Sequence, residues 1–151
     1  MRMSRKRRYH RPDSLKDCLG FLRKNGPDSV LLAGGTDVMT DLRAGEIDKG
    51  WIVDVSRLQE LKGIELRDGH LWIGAGVTLS EILASDLLAE HGLTLKKSAF
   101  HFAARQIRNV ATIGGNVAHC SPCADTMPPL LVHEAEEIGR ASCRERVYCE
   151  V

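Results

Sequence analysis

Two glycine pairs stand where backbone chemistry is to be expected. Gly34-Gly35 follows the apolar run Val30-Leu31-Leu32-Ala33 and leads into Thr36-Asp37. A turn without Cβ atoms lets backbone N–H groups converge on an anion, and a threonine hydroxyl adds a donor, so a pyrophosphate can be held without lysine. Gly114-Gly115 repeats the arrangement between Thr112 and Asn116. A lone Gly-Gly ordinarily marks a tight turn; two of them, each with hydroxyl and amide neighbours, weigh toward anion binding. Neither standard nucleotide fingerprint is present. No lysine follows these glycines as a P-loop requires, and Gly74-Ala75-Gly76 opens a GxGxxG pattern that meets Leu79 where the third glycine belongs.

His119, Cys120, Cys123, Asp125 and His133 invite a metal reading, but no second CxxC or HxxxH completes a closed zinc set. The motif is not CxxCH, which excludes covalent haem attachment. Cys120 and Cys123, around Ser121-Pro122, are expected to be small packed residues. There is no Gly-x-Ser-x-Gly elbow for an acyl-transfer serine. Asp125 falls eleven residues after Gly114 at the expected start of a helix. A carboxylate there is stabilised by the helix dipole, and it is equally placed to be a ligand group; both readings stand.

These residues need elements to position them. Leu15, Cys18, Leu19 and Leu22 form one apolar helical stripe, with Ser14 or Asp13 as its cap and Gly26 at its end. Val30–Ala33 and Trp51–Val55 read as short buried strands flanking a helical segment. Strand, helix and strand in alternation predict a small α/β unit. The pattern then changes. Residues 64–74 read as a hairpin around Asp68-Gly69, with Ile64 facing Ile73, Leu66 facing Leu71, and Glu65 and Trp72 on the other side. Thr78 and Glu81 make a capping-box pair. Helical stretches are predicted over 93–105 and 125–134, the latter with Pro128 in its first turn. The second unit is therefore α+β.

The whole chain is 151 residues with 21 Lys+Arg against 20 Asp+Glu, 43% hydrophobic and 5% aromatic. That suits a globular protein with a sizeable core and argues against a dedicated nucleic-acid binder. No apolar run approaches the roughly 18 residues of a membrane span, and no secretory h-region follows the basic start. Five cysteines, an odd count, suggest no disulfide framework and a cytoplasmic setting. Arg2, Arg5, Lys6, Arg7, Arg8 and Arg11 form a basic arm, read foremost as a solvated edge strand. Residues 137–151 have no apolar period, and EIGRASCRERV resembles a translated sequencing adapter, so this tail is expected to be non-native.

Leu32-Ala33-Gly34-Gly35-Thr36-Asp37, the run from Gln106 to Ala118, and Ser121-Pro122-Cys123-Ala124-Asp125 together resemble the FAD-binding subunits of molybdenum hydroxylases, the xanthine dehydrogenase and carbon monoxide dehydrogenase family. Residues 9–15, Val53-Asp54-Val55 and 73–78 follow the same pattern, so the likeness covers 7–136. It implies an α+β, PCMH-type FAD-binding domain, truncated, with a small N-terminal α/β subdomain (1–58) and an incomplete second α+β subdomain (59–136) clasping an extended FAD. Carried over, Leu32, Ala33, Gly34, Gly35, Thr36 and Asp37 would bind the pyrophosphate and neighbouring groups. Thr112, Ile113, Gly114, Gly115 and Asn116 would form a second phosphate-facing turn, and Asp125 would contact ribityl or ribose hydroxyls.

The implied partners are a molybdopterin-binding large subunit and an iron–sulfur small subunit, with NAD or another electron acceptor; no nucleic acid and no membrane span are implied. No catalytic side chain or metal ligand is assigned to this chain, because the flavin carries the chemistry. Two alternatives compete. A stand-alone PCMH-type flavin reductase would need its own acid or base, which is not seen. A non-enzymatic module with a nucleic-acid-binding arm would want aromatics there, and Tyr9 is alone.

Overall fold

The computed structural model describes residues 6–121 and 124–136. The chain divides into two compact units, one ending at Glu60 and the other beginning at Leu61. The tail expected at 137–151 lies outside the described residues.

The first unit is a three-stranded parallel sheet, β1 (Arg8–His10), β2 (Ser29–Leu32) and β3 (Trp51–Asp54), in the order β1-β3-β2. Parallel neighbours need crossover connections; α1 (Leu15–Asn25) and α2 (Val38–Ala44) supply them. Ser14 caps α1, its Oγ accepting the Asp17 N–H at 3.1 Å, and Glu60 Oε1 accepts the Leu15 N–H at 2.8 Å. Gly45 closes α2 in the left-handed region at φ 79°. Cys18 from α1, Leu42 from α2 and Val53 from β3 are buried, with Leu58. Burial pushes the Cys18 thiol pKa up, as does the nearby Asp17 carboxylate, and the thiol is kept protonated.

Of the basic arm, Arg2 and Arg5 lie outside the described residues, and Arg7, Arg8 and Arg11 have partners in their own unit. Arg8 lies over the Trp51 ring at 4.0 Å, Arg7 Nη2 donates to the Ile47 carbonyl at 3.3 Å, and Arg11 bonds Asp54. His10 stacks on Phe21, which meets Trp51 edge-on. β1 is an edge strand as expected, but its described arginines are engaged by a carbonyl, an indole ring and a carboxylate and are not simply solvated.

The second unit begins with the hairpin β4 (Ile64–Arg67) and β5 (His70–Ile73) in the expected register, Ile64 opposite Ile73 and Leu66 opposite Leu71. Asp68 (φ 49°) and Gly69 (φ 82°) both adopt the positive φ that a type I′ turn demands. Helices α3 (Leu79–Ala84), α4 (Asp86–His91), α5 (Leu93–His101), α6 (Arg105–Arg108), α7 (Ile113–His119) and α8 (Met127–Val132) follow. The Thr78–Glu81 capping box forms in full. Leu71, Val77, Leu79, Ile82, Leu88, Leu95, Ile113 and Leu130 share one apolar core.

Three expectations needed correction. The helix read over 93–105 ends at His101, and Ala103 takes φ 39° before α6 begins. The cause is Arg108, whose Nη1 faces the carbonyls of Phe100, Phe102 and Ala103 at 3.4, 2.9 and 2.7 Å, turning the chain rather than letting those acceptors continue a helix. The helix read over 125–134 is confined to Met127–Val132. The second glycine pair does not form a loop; it lies in the first turn of α7.

Candidate functional site: the two glycine segments

The first segment leaves the carboxyl end of the parallel sheet, the edge where ligands of open α/β sheets bind. β2 stops at Leu32, whose carbonyl accepts the Val55 N–H at 2.9 Å and fixes the loop's root to the chain leaving β3. Gly35 adopts φ 74°, and a Cβ there would lie 2.9 Å from Leu32 Cδ1. This position therefore requires glycine. Ala33, Gly34, Gly35 and Thr36 are half-buried and Asp37 is exposed.

Among the described residues, the N–H groups of Gly34, Gly35 and Thr36 make no backbone hydrogen bond. Partly buried donors must find water or a ligand, so the loop presents the uncommitted donors that an anion requires. The Thr36 hydroxyl donates to Asp37 Oδ2 at 3.1 Å. A carboxylate only accepts, so Asp37 suits a sugar hydroxyl and not a phosphate.

Asp54 ends β3 directly opposite Leu32 and is only 5% exposed. Its Oδ2 accepts from the Tyr9 hydroxyl, from Arg11 Nε at 3.0 Å and from Arg11 Nη2 at 2.9 Å, while Oδ1 takes the Ser56 N–H at 2.9 Å. Burial works against its charge, but the hydrogen bonds from Ser56, Tyr9 and Arg11 outweigh that and bring its pKa down to about 2. This carboxylate pins the ends of β1 and β3 beside the root of the glycine loop. Sequence reasoning passed over it, because an aspartate inside Val53-Asp54-Val55 gives no local signal that it is buried.

The second segment is built differently. Thr112 is buried, bridges Thr78, and caps α7 by accepting the Gly115 N–H at 3.1 Å. The Ile113 N–H goes to the Val77 carbonyl and that of Gly114 to the Ala75 carbonyl, both at 2.9 Å, and the Asn116 N–H to Thr112 O at 3.0 Å. The N–H groups of Ile113, Gly114, Gly115 and Asn116 are all engaged within the protein. A Cβ on Gly114 would stand 2.7 Å from both Cβ and O of Ala75, and one on Gly115 2.8 Å from Thr112 Oγ1. These glycines serve close packing and capping.

What remains available in this segment is the half-buried Asn116 side chain. Its Oδ1 accepts from the Thr126 hydroxyl, and its Nδ2 has no partner among the described residues. Asp125, next to Thr126, is exposed; its carbonyl accepts from the Ser98 hydroxyl and its carboxylate caps no helix. The structure thus brings Asn116 and the Asp125 segment together through Thr126, a residue with no motif to announce it. Cys120 is exposed at the left-handed end of α7 (φ 49°), contrary to the packed role expected for it, and Cys123 lies outside the described residues. Among the described residues no group of His, Cys, Asp and Glu could hold a metal ion, and no helix is long and apolar enough to cross a membrane.

Comparison with known proteins gives a consistent picture. The family described as "FAD binding domain in molybdopterin dehydrogenase" matches residues 3–148, running past the point where a foreign tail was expected to begin. The xanthine dehydrogenase FAD-binding subunit of Escherichia coli O157:H7 is 40% identical over 129 residues, covering 85% of this chain and 44% of that subunit. The carbon monoxide dehydrogenase medium chain of Hydrogenophaga pseudoflava is 31% identical, over 78% of this chain and 41% of that one.

Among solved structures, quinoline 2-oxidoreductase from Pseudomonas putida 86 superposes with a TM-score of 0.78 at 28% identity, covering 86% of this chain and 45% of that one. Reconstituted CO dehydrogenase from Oligotropha carboxidovorans also gives a TM-score of 0.78, at 32% identity over 80% and 42% of the two chains. The α+β, PCMH-type fold anticipated from the sequence is the fold shared with these proteins over the matched stretch, and the chain spans less than half the length of each relative. On a match across nearly all its residues, the chain belongs to the family of FAD-binding domains in molybdopterin dehydrogenases.

Proposed function

We propose that this chain binds FAD as the flavoprotein part of a molybdenum-containing hydroxylase or dehydrogenase. The observation that carries the reading is the loop after β2, where Gly34, Gly35 and Thr36 present N–H groups with no backbone acceptor among the described residues, at the carboxyl edge of a parallel sheet. In this reading those donors bind the diphosphate, and the Thr36 hydroxyl, now turned to Asp37, is a further donor within reach of the same group. Asp37 and Asp125, both exposed carboxylates, accept from sugar or ribityl hydroxyls. The turn at Thr112, Ile113, Gly114, Gly115 and Asn116 contributes through the Asn116 side chain, because Thr112 is buried and the N–H groups of the other four are engaged within the protein.

When bound, FAD supplies the electron relay between the iron–sulfur clusters of partner subunits and NAD or another acceptor. The molybdopterin-binding large subunit, the iron–sulfur small subunit and a cytoplasmic setting belong to the same proposal, as does the division of labour between residues 1–58 and 59–136.

The test is a FAD titration of the chain and of Gly34→Asp, followed by flavin fluorescence. Gly34 does not have positive φ, so a side chain there demands no left-handed backbone, while the aspartate charge opposes a diphosphate. Saturable binding by the unchanged chain, weakened about tenfold or more in the variant with its near-ultraviolet dichroism intact, is the expected result. Absence of binding by the unchanged chain, or equal binding by both, would overturn the reading.

A further inference from the structure

Thr126 is fully buried, at 0% exposure, yet polar. It holds the N-cap position of α8, where a threonine hydroxyl ordinarily bonds an N–H of the first turn. Here it makes no cap bond; the hydroxyl instead donates to Asn116 Oδ1, ten residues earlier on α7. A buried hydroxyl without an acceptor is costly, so this bond has a directional consequence. Rotating the carboxamide by half a turn would make the Thr126 oxygen an acceptor and strand its proton in a site closed to water. The carbonyl end of Asn116 is therefore held inward and the NH2 end is the one left uncommitted. The Ile113, Gly114, Gly115 and Asn116 N–H groups are engaged within the protein and Thr112 is buried, so Asn116 Nδ2 is the half-buried side-chain donor of this turn without a partner among the described residues.

Thr126 also directly follows Asp125, whose carbonyl is tied to the Ser98 hydroxyl. One buried hydroxyl thus fastens a donor, the Asn116 amide, to the segment that carries an acceptor, the Asp125 carboxylate.

We infer that Thr126 is a positioning residue for the flavin nucleotide: its hydroxyl orients the Asn116 carboxamide with the NH2 group toward the cofactor and holds the Asp125 segment alongside. This rests on the FAD reading above. It assigns recognition in the second glycine segment to a side chain and its buried support.

FAD titrations of the chain with Thr126→Val, Thr126→Ser, Asn116→Ala and the Thr126→Val/Asn116→Ala double variant decide it, with urea unfolding run in parallel. Valine keeps the volume and removes the hydroxyl, so affinity is expected to fall about tenfold. Serine keeps the hydroxyl and is expected to stay within about twofold of the unchanged chain. The double variant is expected to bind no more weakly than Asn116→Ala alone, because the hydroxyl acts through that amide. Unchanged affinity in Thr126→Val, or losses that multiply in the double variant, would overturn the inference while the unchanged chain still binds.

Should Thr126→Val not fold, the other two single variants decide. Weakened binding in Asn116→Ala with retention in Thr126→Ser supports the inference, and full binding by Asn116→Ala overturns it. No binding by the unchanged chain removes the FAD reading and this inference with it.

Discussion

A methyl group on Gly114 would overlap the backbone oxygen of Ala75, an atom that cannot rotate away. Gly114→Ala is therefore expected to destabilise the second unit by about 2–4 kcal/mol, read as a lower urea midpoint whether or not flavin is present. Asp54 makes a prediction of the opposite character, visible only in acid. Its folded pKa of about 2 lies below the ordinary carboxylate value, so its contribution is present above roughly pH 4 and is lost as pH falls toward 2. Asp54→Asn should unfold more easily at pH 6, by about 2 kcal/mol, and lose part of the decline between pH 4 and 2 that the unchanged chain shows. Urea midpoints at the three pH values check both halves. At this scale the sequence was informative where a residue's role is local. Gly35, at the end of an apolar strand, could be singled out, whereas Asp54, Ala75 and Thr126 take their roles from partners brought near by folding.

The elements show the same division. The hairpin register and the Thr78–Glu81 box were legible because each is decided within a few residues, by turn φ values and by side chains three apart. Thr78→Ala should accordingly cost about 1 kcal/mol in thermal or urea unfolding. Gly69→Ala, forced to hold φ 82°, should cost about 1 kcal/mol in the same measurement. The break after α5 was illegible because the Arg108 guanidinium, five to eight residues downstream, captures the carbonyls there. The start of α7 was illegible for a related reason. Glycine is a poor helix former, and what overrides it is pairing with Ala75 and Val77, far back in the chain.

At the scale of the molecule, net charge and its placement agree. The formal charge is +1, and Arg7, Arg8 and Arg11 are already bonded to a carbonyl, an indole ring and a carboxylate. Saturable, steeply salt-dependent binding to an oligonucleotide is therefore not expected at about 150 mM salt, and fluorescence anisotropy would detect it. The uncommitted amides after β2 carry one more consequence. On the proposed reading, a loop that meets a diphosphate with main-chain N–H groups reads the two linked phosphates and is blind to whatever hangs from them. If these amides hold the diphosphate as proposed, ADP and ADP-ribose satisfy them as FAD does, so ADP should compete with FAD for this chain, and any preference for the flavin has to be written in side chains.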